Sequence, residues 1–575
     1  MIKTEAAPAP RNARLVQLLV LASMSTICYV AVYLWSGTFG DATPRDERMT
    51  LAVLAALGAA FVLYWLAIVV ATRTPPSRLL MGIIVGGACL FRVVLLPSTP
   101  IHEIDIYRYL WDGAVLAEGV SPYRYPPQQV LRAADQPPDQ IDADLRRLVE
   151  LRERSASLAH SLNRIHYGQL PSPYPPVSQA VFALSAVLTP DAASPHSRLV
   201  LMKGLLVLFD VATLLVVIGL LKEVGMHPGW SVAYAWCPLL MKEFANSGHL
   251  DTIAIFLTTL TVWLLVRTGR TQAHPNVPGA ALVGGVLALA MGAKLYPVVL
   301  APLVAAVWWK RGGVRTAVVG MFAMAIIATG VLSPMFRSLC DLPDQALPGQ
   351  ASSSVEDAAV VPTAGIRAFL REWEMNDLLF MIVRENLRPQ ADKPSYEKPW
   401  FVVMPNSWSR AVLTLRAEDS PEALKQASFL LARMITGGVF LVLAVWLAWR
   451  AAGQEDPRHW CRAGMLTLAW FWLLCPTQNP WYWCWVLPLI PFARYRTWYV
   501  VGACVLLYYG RFWLVTHSPA PPVLGTPYDG ANFFDLVVVW LEFVPCLLAL
   551  AAEGWLARRQ DGRESVASET IAGTG

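Results

Sequence analysis

Long apolar blocks, rather than an alternation of apolar and polar positions, dominate this chain. Leu51 to Val70, Leu79 to Leu96, Val200 to Leu221, Thr316 to Leu332, Phe429 to Trp449 and Phe533 to Ala552 are the clearest of them. Each approaches or exceeds the roughly 18–20 residues that cross a bilayer core. In lipid a backbone must satisfy its own polar groups, so such runs are helical. With the shorter candidates, the pattern predicts an all-α polytopic membrane protein with on the order of 12–15 transmembrane helices. Leu15 to Trp35 exceeds the apolar core of a secretory signal and has no A-x-A cleavage site. It is expected to remain as the first helix.

Composition agrees. Of 575 residues, 55% are hydrophobic and 15% charged, and the mean hydropathy is +0.44. Soluble domains carry about 25% charged residues. The net charge of +5 is small, and the basic residues form no stripe of the kind that binds nucleic acid. The nine cysteines (28, 89, 237, 340, 461, 475, 484, 504 and 546) lie mostly in apolar runs without metal-ligand spacing, and read as small core residues.

Basic residues set the expected orientation, because short loops rich in Lys and Arg stay cytoplasmic. Arg11 and Arg14, Arg73 and Arg78, Arg267 and Arg270, Lys310, Arg311 and Arg315, Arg494 and Arg496, and Arg558 and Arg559 mark such turns. Two long connections, roughly Pro97 to Pro176 and Ser338 to Gln426, then fall outside, in a bacterial periplasm or equivalent lumen. This requires Val177 to Leu188 not to cross; about 12 residues between prolines suit an interfacial or re-entrant helix. The chain divides into N-terminal helices (1–97), a first outer connection (98–176), central helices (177–337), a second outer connection (338–426), C-terminal helices (427–557) and a cytoplasmic tail (558–575). Asp139 to Leu162 and Gly365 to Arg384 read as surface helices. There is no fixed-period repeat and no nucleotide-phosphate loop.

The densest polar cluster opens the first outer connection, from Thr99 to Gly113. Thr99 as N-cap, Pro100 as first helical residue and Gly113 as terminator predict a helix over this stretch. Asp105, Tyr109 and Asp112 would share one face, with Arg108 a turn from Asp105. A carboxylate at the membrane surface can accept a proton from an incoming hydroxyl, although a capped surface helix would look the same. Further along, Ser121-Pro122-Tyr123 and Tyr174-Pro175-Pro176 form rigid corners. Trp236-Cys237-Pro238-Leu239 runs into Lys242-Glu243 and Gly248-His249-Leu250-Asp251, a polar group costly at the end of an apolar helix. Lys294, in Ala293-Lys294-Leu295-Tyr296-Pro297, is a cation in an apolar stretch and needs an anion: Asp210, Asp251 or a phosphate. Gln478 and Asn479 stand out among the aromatics of Pro480-Trp481-Tyr482-Trp483, which otherwise suit interface anchors.

In their order these motifs resemble the GT-C superfamily of polyprenyl-phosphate-sugar-dependent glycosyltransferases. The pattern is similar to bacterial mannosyltransferase-like members and to the catalytic subunit of glycosylphosphatidylinositol mannosyltransferase I. Glu103-Ile104-Asp105, Gly119-Val120-Ser121-Pro122-Tyr123, Tyr174-Pro175-Pro176, Asp210, Cys237-Pro238-Leu239, Gly248-His249-Leu250-Asp251 and Lys294-Leu295-Tyr296-Pro297 carry it. They span about residues 100–300, with Asn479-Pro480-Trp481-Tyr482 beyond. The resemblance implies that a first-loop acid is catalytic base or supports the donor, with Asp105 the first choice and Glu103 the second. Where the superfamily often has Asp-x-Asp and Asn-Pro-Leu, this chain has Glu-x-Asp and Cys-Pro-Leu, which leaves open the working carboxylate and a divalent cation.

The implied reaction is inverting transfer of a sugar, mannose among the candidates, from a polyprenyl-phosphate carrier to a lipid, glycan or protein acceptor on the extracytoplasmic face of the plasma membrane. Candidate donor-phosphate and substrate residues are Arg108, His249, Asp251, Lys294, Tyr296, Gln478, Asn479, Trp481 and Tyr482. The alternative is a transporter or lipid-linked-sugar flippase. Transporters gather binding groups at midplane helix breaks, often between repeats, whereas these motifs gather near outer helix ends.

Overall fold

Apolar helices of spanning length form the body of the molecule, a computed structural model that describes residues 11–40, 48–270, 276–340, 373–391, 393–415 and 417–572. Among these residues there is no strand, only two isolated bridges. Nine helices among the described residues are long and apolar enough to cross a membrane, and Pro176–Val187 and Val277–Ala293 are shorter apolar helices. The nine are fewer than the 12–15 expected, in part because one of them, Tyr296–Arg337, is two limbs. Gly313, at φ 79°, breaks the helical path, and the second limb returns beside Val277–Ala293. Arg11–Ser36 is helical, as the reading of the first apolar run required.

The basic helix ends gather at one end of the bundle. Arg14 donates to the Arg73 carbonyl, Arg270 to the Glu223 carbonyl and Arg311 to the Gln454 carbonyl. Gly229 lies against the Ala71 backbone and Gly269 against Trp460, which joins these pairs into a single face. The candidate acids, reached at the far end of Arg78–Leu95, lie at the opposite end.

Three local expectations are corrected. The helix expected from Thr99 begins at Ile106 and runs through Gly113 to Ala117. Tertiary bonds claim the backbone before it: Asn246 bonds Ser98, the Thr99 carbonyl and the Ile101 N–H, and Lys203 Nζ donates to the Leu96 and Ser98 carbonyls. Gly113 is a contact point, not a terminator. A Cβ there would stand 2.3 Å from the Phe182 carbonyl oxygen, so its absence lets the Pro176–Val187 helix pack close. The Asp139–Leu162 stretch is a short turn, Pro138–Gln140, followed by two helices, Ala143–Arg154 and Ala156–Asn163, parted at Ser155. These bury Leu145, Leu148, Leu151, Leu158 and Leu162 with Trp111 and Val130 in a small core of their own. Residues 365–372 of the expected Gly365–Arg384 helix lie outside the described residues; the described remainder is irregular up to Leu378 and helical only from Leu379, in a helix that runs to Leu387. The final helix runs from Val539 to Ala572.

Candidate functional site

The site is built on a chain segment that is almost entirely buried and only intermittently helical. Between Pro195–Glu223 and Asp251–Gly269 the backbone passes through a 3₁₀ turn, two short α turns and a π turn at Met241–Asn246. Irregular backbone at this depth is tolerated where protein surrounds it, and π turns often mark functional positions. Gly248 ends the segment at φ 71°, with Ile106 Cδ1 2.6 Å and Lys203 Cγ 3.0 Å from the place of a Cβ. No other residue fits both that conformation and that space. The turn presents Lys242, Glu243, His249 and Asp251 to the first acidic connection.

Glu243 accepts from the Tyr509 hydroxyl at 2.8 and 3.1 Å, lies 4.0 Å from Lys242 Nζ and 3.3 Å from His249 Nε2. Lys242 donates to Ser247 Oγ at 2.7 Å and sits 4.1 Å over the Tyr509 ring. The His249 ring stacks on Trp481 at 4.3 Å. Asp251 Oδ1 accepts from both Lys294 Nζ and Trp485 Nε1 at 2.6 Å, while Oδ2 is buried without a partner. Lys294 keeps 20% of its side chain exposed and sits 4.4 Å over Tyr482. Tyr296 stacks on Trp485 at 4.0 Å, and Tyr482 stacks on Trp485 at 4.4 Å.

Glu103 and Asp105 face this aromatic wall. Asp105 immediately precedes the Ile106–Ala117 helix and its carboxylate makes no capping bond. Its charge is felt at Tyr109, Tyr174, Tyr482 and Tyr508, which places it among those phenols. Tyr508 is within hydrogen-bonding reach of Glu103. Burial pushes the Glu103 carboxyl up to about 8, the neighbouring Asp105 charge adds to the rise, and Lys242 opposes it. Both acids nonetheless retain accessible surface. A group that protein surrounds and water still reaches lies in a cleft.

Eight expected residues therefore converge: Glu103, Asp105, His249, Asp251, Lys294, Tyr296, Trp481 and Tyr482. Of the three partners open to Lys294, the protein supplies Asp251. Asp210 instead takes Arg92, at 2.5 Å, together with the Tyr234 hydroxyl at 2.6 Å. Arg108 turns away, its Nη2 donating to the Tyr167 and Leu170 carbonyls, although its Nη1 is buried without a bond. The Gln478 amide donates to the Leu473 and Cys475 carbonyls and its backbone N–H to the Met375 carbonyl, while its Oε1 is buried without a hydrogen bond. Asn479 is buried with an unpartnered Oδ1 at the start of the Pro480–Trp483 turn. Glu243, Tyr508 and Tyr509 were not among the expected site residues. Glu243 carried a signal, an acid within an apolar run, whereas the two tyrosines look like any aromatic pair in such a run. Among the described residues no three His, Cys, Asp or Glu side chains are grouped to hold a metal ion.

A family model described as the N-terminal domain of alpha-(1->6)-mannopyranosyltransferase, the MptA_B family, matches residues 16–310. No curated protein and no solved structure gave a match. The matched region covers more than half of the chain and contains the acids, the interrupted segment and Lys294. This chain belongs to that family: it is an integral membrane glycosyltransferase, which acts on a sugar donor and an acceptor. The transporter alternative falls with that assignment, even though the interrupted helix it would use is present.

Proposed function

We propose that this member of the mannopyranosyltransferase family is a GT-C-type enzyme that moves mannose, with inversion, from a polyprenyl-phosphate carrier to an acceptor on the extracytoplasmic face. One observation carries the reading. The cleft holding Asp105 opens at the bundle end opposite the gathered basic turns, and basic turns stay cytoplasmic. A cleft on the outer side has no nucleotide-sugar pool and needs a donor delivered in the lipid.

Asp105 then removes the acceptor hydroxyl's proton as the oxygen attacks the anomeric carbon from the face opposite the phosphate. The C–O bond to the sugar forms as the bond to the phosphate oxygen breaks, and the lipid phosphate departs with that electron pair. Glu103, protonated near neutrality, is a hydrogen-bond donor beside the base and spares Asp105 an adjacent anion. Lys294 is the cation for the departing phosphate. It is partly exposed, and Asp251 and the Tyr482 ring hold its ammonium in place before the donor arrives. A preplaced cation stabilises the charge that grows in the transition state more than the charge of the ground state. His249, Trp481 and Tyr482 line the sugar position, and Trp485 backs Tyr482.

Purified protein given labelled polyprenyl-phosphate mannose or GDP-mannose, each with a mannoside acceptor, tests the reading. Transfer from the lipid donor with an inverted product supports it. Transfer from GDP-mannose alone overturns it.

A further inference from the structure

A second polar chamber lies behind the aromatic wall, where the segment 374–399 meets the helices that carry Arg511 and Asp535. Its volume is about 300 Å³. Its four cations stand against five acids, Glu374, Asp377, Glu385, Glu397 and Asp535: Arg384 pairs with Glu374, Lys393 with Glu385 at 2.5 Å, Arg511 with Asp535 through two bonds of 2.9 and 3.1 Å, and Arg388 lies 3.9 Å from Glu385. Other groups in it are not matched. Asp377 and Asn376, only 4% and 5% exposed, line the chamber, and Asp377 Oδ2 and Asn376 Oδ1 are buried without a hydrogen bond, as is Arg384 Nε. Unmade bonds at buried polar atoms are costly unless a ligand or water completes them.

Beside the chamber stands Trp400, 59% exposed. It follows the lining residue Pro399, and its indole N–H is held by the Leu536 carbonyl at 2.8 Å, which fixes the ring. On the other side the chamber adjoins the proposed catalytic cleft. Met375 pairs through its backbone with Pro476 and Gln478, and its sulfur accepts from the hydroxyl of Tyr508, the phenol within reach of Glu103.

We propose that this chamber is an acceptor subsite that binds an uncharged oligosaccharide, holding sugar units remote from the attacked hydroxyl. The proposal rests on the transferase reading above. Internally paired cations leave little attraction for a phosphate, so the charge balance selects against an anionic ligand. Planar carboxylate, amide and guanidinium groups with free bonding positions suit the paired hydroxyls of a sugar. A fixed, exposed indole suits the apolar face of a pyranose ring.

The test is a titration of the full-length protein in detergent with α-1,6-linked mannotriose, read by calorimetry and without donor. The trisaccharide binds at least about tenfold more tightly than methyl α-mannoside, and Asp377→Asn and Trp400→Ala each weaken it by about tenfold. Asp377→Asn keeps the side-chain shape, and Trp400 is exposed, so both variants stay folded by thermal melt. Trp408→Ala, which removes an exposed tryptophan of the same connection that does not line the chamber, leaves the affinity unchanged. Equal affinity for trisaccharide and monoside, wild-type affinity in both chamber variants, or an equal loss in Trp408→Ala overturns the proposal. So does displacement of the trisaccharide by vesicles of phosphatidylglycerol, which would make the chamber a lipid-headgroup site. Because the titration contains no donor, it judges the chamber even if wild-type protein transfers nothing from a lipid donor, a failure that counts against the transferase reading alone.

Discussion

Two ion pairs, Arg92 with Asp210 and Lys294 with Asp251, are built differently. Arg92 and Asp210 are 1% and 0% exposed, and their bonds are complete. Arg92 uses two nitrogens on the carboxylate and a third on the Ala88 and Ala235 carbonyls, while Tyr234 takes up Asp210 Oδ1. Lys294 and Asp251 are left incomplete: the ammonium is one-fifth exposed, rests on aromatic faces, and leaves Asp251 Oδ2 without a partner. A closed pair of this kind can only hold structure. An open one has bonding capacity left over, and its cation can be shared with a third, anionic group. The presence of charge in the membrane does not separate the two, but the bonds left unmade do.

The sharpest way to break the comparison is to remove one member of the closed pair. Arg92→Met leaves Asp210 buried without its cation, and orphaning a buried partner costs about 3–5 kcal/mol. Folded yield and thermal stability should collapse; a well-folded variant that only loses transfer would put Arg92 in the site instead.

Next in size is Asp105→Asn, which preserves shape and cannot take a proton. Turnover should fall by about 10²-fold or more, with donor affinity little changed. A larger loss in Glu103→Gln than in Asp105→Asn would pass the role of base to Glu103. Near-full transfer in both folded variants would remove the base from this cleft.

Lys294→Met should behave unlike Arg92→Met. The open pair loses a charged hydrogen bond to the donor, worth about 1.5–3 kcal/mol, so lipid-phosphate-mannose should bind about ten- to hundredfold more weakly. Folded yield should stay near normal because Asp251 keeps Trp485 as donor. Loss of folded protein would show that this pair, too, is structural.

The smallest effect concerns pH. Glu103 holds its proton in the folded protein up to about pH 8, whereas the unfolded chain releases it near the ordinary carboxylate range. Between those values the native state binds more protons than the unfolded state, so stability falls as pH rises through the window and levels off above about 8. Ionised Glu103 also adds an anion beside an anionic donor, so kcat/KM should decline on the alkaline side. Glu103→Gln should flatten both slopes in melts and rate profiles taken from pH 5.5 to 9; unchanged slopes would show that another group titrates.

Much of this was legible in the residues. The helical membrane fold followed from runs such as Val200–Leu221, because a bilayer demands length and apolarity, and both are properties of sequence alone. The residues Glu103, Asp105, His249, Asp251 and Lys294 stood out because polar groups beside apolar runs are costly, and that cost is local. Helix ends were less legible. Thr99 and Pro100 carry an N-terminal signal that Asn246 and Lys203 override from distant segments. The second core in the first connection depends on Trp111 and Val130 meeting leucines about 15 to 50 residues further along, and at the break Ser155 bonds the Asp191 carbonyl and Arg198.

The sequence by itself determined which groups are charged, which stretches enter lipid, and which few residues could carry chemistry. Only the tertiary structure decided the partners. Lys294 had three anions open to it, and the packing of Asp251–Gly269 beside Val277–Ala293 assigned it to Asp251, leaving Asp210 to Arg92. Pairing depends on where helices separated by tens or hundreds of residues come to lie, as when Tyr509 meets Glu243. Ion pairs and hydrogen bonds act over a few ångströms, so a residue's role is set by neighbours that its own stretch of chain does not contain.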